Sequence, residues 1–159
     1  MTQESTVLEN LTTLSALTAA LSKASGKLLG RSANSIMYLS GTDMGRQEGV
    51  KLDRSDDIQQ ALAIAMRAEL RGWGVELWKD ADQASYLVEE GDSRWAWVVF
   101  RECPVRQVCL AHDMEMGDSL CHLSHGYLAG VLSEVLGKKV DLSLEHAGTN
   151  SCKKRLRIK

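Results

Sequence analysis

The run WAWVVF at residues 95–100 is apolar at every position. Side chains alternate along a strand, so the two faces would carry Trp95, Trp97 and Val99 on one side and Ala96, Val98 and Phe100 on the other. A strand with two apolar faces belongs inside a sheet, between two covering layers, and not at a wet edge. The sequence therefore predicts a sheet with this strand in its interior.

The hydrophobic period of the chain is helical before this strand, alternating around it, and helical again after it. Leucines recur at helical spacing through the first 39 residues and predict two helices, and Gly41, Gly45 and Gly49 then suggest a loop. A third helix covers SDDIQQALAIAMRAELRGWG, and a long helix covers DSLCHLSHGYLAGVLSEVLGKK. Strands are predicted at VELW, SYLVEEGDSRWAWVVF, KVDLSLEH and CKKRLRIK. This order predicts an α+β fold, with N-terminal helices and one long helix in the C-terminal half packed on a mostly antiparallel sheet of about four to five strands.

The length of 159 residues fits a single domain, 1–159, in which residues 1–54 form a helical N-terminal part. A net charge of −2 gives no field that would attract nucleic acid, and no apolar run is long enough to span a membrane. The start MTQESTVLEN lacks the basic and apolar regions of a signal peptide. We therefore expect a cytoplasmic protein with four reduced cysteines.

Four residues in the last 40 positions have side chains of types that can bind metals. Cys121 and His125 are four apart on one helix face, and a hairpin would present Glu145 and Cys152 from one loop. Thiolates with an imidazole or carboxylate suit zinc or iron better than magnesium or calcium. The same cysteines also fit an ordinary core, because free cysteine is often buried. Spacing alone leaves both interpretations open.

The other titratable residues give weaker patterns. Cys103 and Cys109, in ECPVRQVC, would lie in a loop as extra ligands, as a redox pair, or as buried side chains. The histidines stand apart from any serine or cysteine nucleophile with an orienting acid at motif spacing, so the sequence does not predict an enzyme.

Two further patterns concern packing. Gly126 and Gly130 share a helix face, where either another backbone or a ligand must come close. In KKRLRIK, a strand would place Arg155, Arg157 and Lys159 on a solvated face that discourages edge pairing. No aromatic platform or recognition helix accompanies these basic residues, so we do not expect a nucleic-acid partner.

The segment CHLSHGYLAGVLSEVLGKKVDLSLEHAGTNSC, at residues 121–152, resembles the 4-vinyl reductase domain family. This is a small-molecule (hydrocarbon) binding domain related to the Bet3-type subunits of the transport particle and to the sensor domain of phenol- and toluene-responsive regulators. The matching positions are Cys121, Gly126-Tyr127, Ala129-Gly130, Gly137, Glu145 and Cys152. The RGWG stretch at residues 71–74 also resembles the family.

The resemblance implies a Bet3-like fold, often dimeric, with an apolar pocket between helix and sheet. In zinc-containing relatives a helix cysteine, a glutamate and two hairpin cysteines hold the ion, which implies Cys121, Glu145 and Cys152 as zinc ligands here. Gly148 stands where the second hairpin cysteine is expected. The remaining candidates to complete the set are His125, His146, Cys103 and Cys109.

For the pocket walls we predict Trp97 and Phe100 on the strand and Gly126, Tyr127 and Gly130 on the helix. The resulting hypothesis is a stand-alone ligand-binding or regulatory domain for a small apolar or aromatic molecule, which acts through its own homodimer or a protein partner. One alternative is an accessory protein of tetrapyrrole or chlorophyll metabolism with a tetrapyrrole-like ligand. Another is a scaffold subunit of a protein complex.

Overall fold

The computed structural model describes residues 3–68, 70, 72–148 and 150–159. Arg71, the first residue of the RGWG stretch, lies outside them. The described residues form α1 (Gln3–Leu29), α2 (Ser32–Gly49), α3 (Ile58–Ala68), β1 (Gly74–Trp78), β2 (Val88–Glu90), β3 (Ser93–Glu102), α4 (Pro104–Ala111), α5 (Ser119–Leu136), β4 (Val140–Ala147) and β5 (Cys152–Ile158).

The five strands form one sheet with the order β1-β3-β5-β4, and β2 pairs with the first residues of β3. All four strand pairings are antiparallel. The structure thus confirms the α+β fold with helices on a mostly antiparallel sheet. β3 lies in the interior of the sheet, as its two apolar faces predict. β5 is also interior, so its basic residues do not protect an edge.

The two faces of the sheet are covered in different ways. On one face, Val98 and Phe100 are fully buried in a core that includes Leu128 and Leu132 of α5. On the other face, Trp97 is half-buried and lies 4.3 Å, ring centroid to nitrogen, from the Lys153 ammonium. A second layer was predicted to cover this face, and that prediction is wrong. Long cationic side chains of β5 lie over the tryptophan rings instead.

The helices α2 and α5 pack with their backbones in contact. Gly41, Gly45 and Gly49 were predicted to form a loop, but they lie inside α2 and are buried. A Cβ atom at Gly41 would come within 2.1 Å of the Leu123 carbonyl oxygen of α5. The loop prediction is wrong because the glycines serve close helix packing, and the conformational cost of glycine in a helix is offset by that approach.

The short helix α4 replaces the loop predicted around Cys103 and Cys109. Pro104 occupies the first helical position, where its missing N–H costs nothing and its fixed φ favours the helix. Cys103 precedes the helix, and Cys109 lies inside it with no exposed surface.

The long helix α1 turns its small residues inward and its leucines outward. Ala19 and Ser22 are buried, and the Ser22 hydroxyl lies 2.6 Å from the Ser119 hydroxyl at the start of α5. The leucines that define its helical period are exposed, at 66% for Leu21 and 63% for Leu17. No described helix combines the length and the apolar run that crossing a membrane requires.

Candidate functional site

An apolar pocket of about 250 Å³ lies where α2, α5 and the start of α4 meet the segment between α3 and β1. Its lining residues are Gly41, Met44, Leu70, Trp73, Val105, Leu123, Ser124 and Tyr127. The Ser124 hydroxyl donates a hydrogen bond of 2.8 Å to the Cys121 carbonyl oxygen. A cavity with this lining suits a ligand that is mostly apolar.

Of the five residues predicted to line a pocket, Tyr127 does so. Phe100 lies behind the pocket wall, where its ring packs edge-on against Trp73 at a centroid distance of 5.9 Å. Trp97 lies on the opposite face of the sheet, beside Lys153. Gly126 and Gly130 face the backbone of α2, whose Tyr38 and Thr42 carbonyl oxygens occupy the space that a side chain would need.

All four cysteines are free and buried. Cys109, in α4, and Cys121, in the first turn of α5, lie in one buried cluster. The interaction between the two thiols lowers the pKa of Cys121 and raises the pKa of Cys109, because only one of them can carry the negative charge. The backbone N–H of Gly117 lowers the pKa of Cys121 further. Burial raises the pKa of the Cys103 thiol.

The side chain of Lys154 lies in the buried core, 3% exposed, on the helix-covered face of β5. Its ammonium is 3.5 Å from the centroid of the Phe100 ring. Among the described residues it forms no ion pair with a carboxylate, and its neighbouring ionisable groups include the thiols of Cys103, Cys121 and Cys152. Burial lowers the pKa of Lys154, while the three thiols raise it in part.

His125 faces the same interior from α5 and is 1% exposed. Neither of its ring nitrogens has a hydrogen-bond partner among the described residues. Burial, followed by the positive charge of Lys154, lowers the pKa of His125 to about 2. The imidazole is therefore neutral at physiological pH, with an unpaired N–H donor and an unpaired nitrogen acceptor in the core.

The three predicted zinc ligands are divided between two regions. Cys121 and Cys152 both adjoin Lys154 in the core. Glu145 is exposed, at an irregularity in the pairing of β4, and lines a surface hollow with Asp141, Arg155 and Arg157. Within the described part of the chain, no three side chains of His, Cys, Asp or Glu come together as a metal site. The residues present do not fit the implied zinc ion, and zinc stays a prediction from the sequence.

Lys154 is the residue of this region that our sequence analysis missed. The signal was present, because alternation along CKKRLRIK places residue 154 on the same face as Leu156 and Ile158. The pocket residues Leu70, Trp73 and Val105 carried no comparable signal, since the first two lie in the connection between α3 and β1 and the third lies at the start of α4.

The chain matches known proteins in structure and not in sequence. No protein-family model matches the chain, and no curated protein sequence matches it. Among solved structures, it is similar to the phenol-responsive sensory domain of the transcription activator PoxR, determined with phenol. The TM-score is 0.60 at 16% identity, over 91% of this chain and 73% of that chain. At this identity the similarity shows a shared fold.

Proposed function

We propose that this chain is a small-molecule-binding domain of the regulatory type, and that it takes a single-ring aromatic molecule in the pocket between α2 and α5. The observation that carries the proposal is the apolar pocket of about 250 Å³ lined by Trp73, Tyr127 and their neighbours. The fold shared with a phenol-responsive sensory domain supports it. The resemblance of residues 121–152 to a hydrocarbon-binding family agrees with it.

The size of the pocket favours a small ring over a larger ligand. An engineered apolar cavity of about 150 Å³ accepts benzene, and drug-sized ligands occupy about 300–1,000 Å³. A pocket of about 250 Å³ therefore suits one substituted ring and is small for a tetrapyrrole. For a ring of about seven non-hydrogen atoms at half the ceiling of ~1.5 kcal/mol per atom, the binding free energy is about −5 kcal/mol, or a Kd of roughly 0.2 mM.

Titration of phenol and toluene into the full chain tests the proposal, with tryptophan fluorescence and thermal shift as readouts. Trp73 lines the pocket, so the fluorescence change should disappear in Trp73→Phe while the thermal shift is kept. Val105→Trp fills the pocket and should weaken binding at least about tenfold. Leu110→Trp is the matched control on the same helix, at a position 55% exposed, and should bind like the wild type.

A second filling variant guards against misfolding. Met44 lines the pocket but is 53% exposed, so Met44→Trp is easily accommodated by the fold. Its control is Leu39→Trp, at a position of α2 that is 64% exposed. The proposal fails if neither aromatic molecule binds, or if folded Val105→Trp and Met44→Trp proteins bind as tightly as their controls.

We also propose that the partner of this domain is a second copy of the chain, bound through α1. Seven large apolar side chains of this helix are 53–84% exposed, namely Val7, Leu8, Leu11, Leu14, Leu17, Leu21 and Leu28. From Leu8 to Leu21 they recur every three or four residues, which is the spacing of a helix–helix seam. A helix of 27 residues is about 40 Å long, enough to approach the ~800 Å² per partner of a standard interface.

The charges of α1 favour an antiparallel pair. Glu4 and Glu9 lie in its first half, and Lys23 and Lys27 lie in its second half. If two copies cross near Ala16, Leu11 of one helix lies opposite Leu21 of the other. The same register brings Glu4 beside Lys27 and Glu9 beside Lys23, so the apolar and the charged contacts agree.

A further inference from the structure

Two residues that line the pocket also belong to the packing of the first helix. Val105, at the start of α4, and Leu123, in α5, both pack against the buried cluster that holds Cys109 and Cys121. That cluster includes Ala19 of α1. The side chains of Val105 and Leu123 therefore contact both the proposed ligand site and the cluster on which α1 rests.

The helix α1 is held on the domain by a short stretch of its length. Among its described side chains, Ala19 and Ser22 are buried, and the others are exposed or half-buried. The Ser22 hydroxyl lies 2.6 Å from the Ser119 hydroxyl of α5, and the Ser15 hydroxyl lies 3.0 Å from Nε2 of His112, which follows α4. We call these contacts, together with the cluster around Ala19, the α1 seat. A helix with so few buried contacts opens at a lower free energy than the strands of the core.

We propose that a ligand in the pocket stabilises the α1 seat, so that the state of the pocket is passed to α1. This inference rests on the proposed function. Without a ligand, the Val105 and Leu123 side chains lack packing partners on the pocket side, and a bound ring supplies them. The ring thereby holds α4 against α5, and the α1 seat is built on both of these helices. The ligand accordingly binds the form with α1 seated more tightly than the form with α1 released.

This coupling would connect the pocket to the proposed dimer. In proteins most helical stability comes from tertiary packing, so an α1 that leaves its seat loses helical structure. The apolar face of α1 that is proposed to bind a second copy is intact only while α1 is helical. A ligand that keeps α1 on its seat would therefore favour the dimer, and by linkage the dimer would bind the ligand more tightly.

Amide hydrogen exchange tests the coupling in the absence of the dimer. The protein is the Leu14→Glu variant, changed at a position 60% exposed on the apolar face of α1 to keep the chain monomeric. Phenol and toluene are added in turn, to saturation as judged by tryptophan fluorescence and thermal shift. With a bound probe, the α1 amides should exchange at least about fivefold more slowly, at the low end of typical coupling between two sites. The β5 amides are the internal reference, because a ligand that binds every folded form equally slows the core strands and leaves α1 unchanged.

Two serine variants, each made in the Leu14→Glu chain, show whether exchange in α1 reports on the seat. Ser22→Ala removes the hydroxyl that contacts Ser119, so the α1 amides should exchange about two- to tenfold faster. Ser25→Ala is the matched control, because the Ser25 hydroxyl donates to the Leu21 carbonyl oxygen of the same helix. It should change the exchange rates by less than about twofold.

The coupling is overturned if a bound probe slows exchange in β5 but leaves α1 unchanged, or if the Ser22→Ala and Ser25→Ala proteins exchange alike. Either result would leave the proposed function intact, because the probe still binds. If neither probe binds, the proposed function fails, and the coupling fails with it.

Discussion

Gly126 lies so close to Tyr38 that a Cβ atom on the glycine would come within 2.0 Å of the tyrosine carbonyl oxygen. The same holds at Gly130, where a Cβ atom would come within 2.3 Å of the Thr42 carbonyl oxygen. These atoms belong to two helix backbones, which cannot yield as the end of a flexible side chain can. The α2–α5 contact therefore depends on glycine, and it holds one wall of the pocket.

Gly126→Ala should reduce the free energy of unfolding by about 3 kcal/mol or more, because the methyl group forces α2 away from α5. Gly26→Ala is the matched control, since Gly26 also lies in a helix and a Cβ atom there would meet nothing within 4 Å. It should stabilise the protein by up to about 1 kcal/mol, because alanine favours a helix. Urea unfolding measures both, and equal effects of the two changes would contradict the account of the contact.

These glycines also show where sequence reasoning succeeded and failed. Gly126 and Gly130 lie within a strong helical period, so a close backbone was predicted as one explanation and is confirmed. Gly41 and Gly45 have the same four-residue spacing, but the polar sequence around them gave no clear helical period, and a loop was predicted. The partner helix lies far away in sequence, and a single segment carries no information about it. The fold class followed from local periods, whereas this contact did not.

The residues of the candidate site were also predicted with mixed success. Tyr127 was predicted to line the pocket, because it lies on a helix whose period is clear. Trp97 and Phe100 were assigned together from one strand, but alternation places them on opposite faces of the sheet. Glu145 was predicted to share a hairpin loop with Cys152 and, from the resemblance, to bind zinc, but it lies within β4 at an irregularity of the strand pairing and is exposed. Local irregularities of this kind are not encoded in a simple period.

His125→Leu should raise the free energy of unfolding at pH 7 by about 1–2 kcal/mol, because it removes two unpaired polar atoms from the core. The free energy of unfolding of the variant should also depend less on pH under acid conditions than that of the wild type. The pKa of His125 is about 2 in the folded chain and near 6.5 when unfolded, so the unfolded state binds one more proton between these values. Wild-type stability should thus fall by up to about 1.4 kcal/mol per pH unit more steeply than that of the variant from pH 6 to pH 4.

The matched control for this prediction is His146→Leu, at an exposed position, which should change stability by less than about 0.5 kcal/mol. Burial also lowers the pKa of His122, but that group is retained in both proteins and cancels in the comparison. Urea unfolding across pH measures the difference. A strong loss of stability in His125→Leu at pH 7 would mean that the imidazole makes hydrogen bonds in solution.

Lys154→Met should also stabilise the chain, by about 1–3 kcal/mol at pH 7, because a buried ammonium without a carboxylate is replaced by an apolar side chain of similar length. Burial lowers the pKa of Lys154 below its ordinary 10.5, so the unfolded state binds more protons as the pH approaches that value. Wild-type stability should therefore rise with pH on the alkaline side, and the advantage of the variant should shrink. Lys153→Met, on the open face of the sheet, is the control. A destabilised Lys154→Met protein would instead show that the ammonium is paired with a thiolate of Cys121, Cys103 or Cys152.

The antiparallel pairing of α1 predicts a charge-swap result that a parallel pair cannot give. Glu4→Lys places like charges at the proposed Glu4–Lys27 contacts, and Lys27→Glu does the same from the other side. Two such contacts recur by symmetry, each worth about 0.2–1 kcal/mol, so either variant should weaken the dimer about two- to thirtyfold. The double variant Glu4→Lys/Lys27→Glu should recover the wild-type Kd, because each contact is again between opposite charges.

Leu14→Glu, at a position 60% exposed on the apolar face, should abolish the dimer without loss of helix content. Sedimentation equilibrium at low salt measures the wild type and all four variants, and a monomeric wild type, or a double variant weaker than both singles, would exclude the antiparallel arrangement.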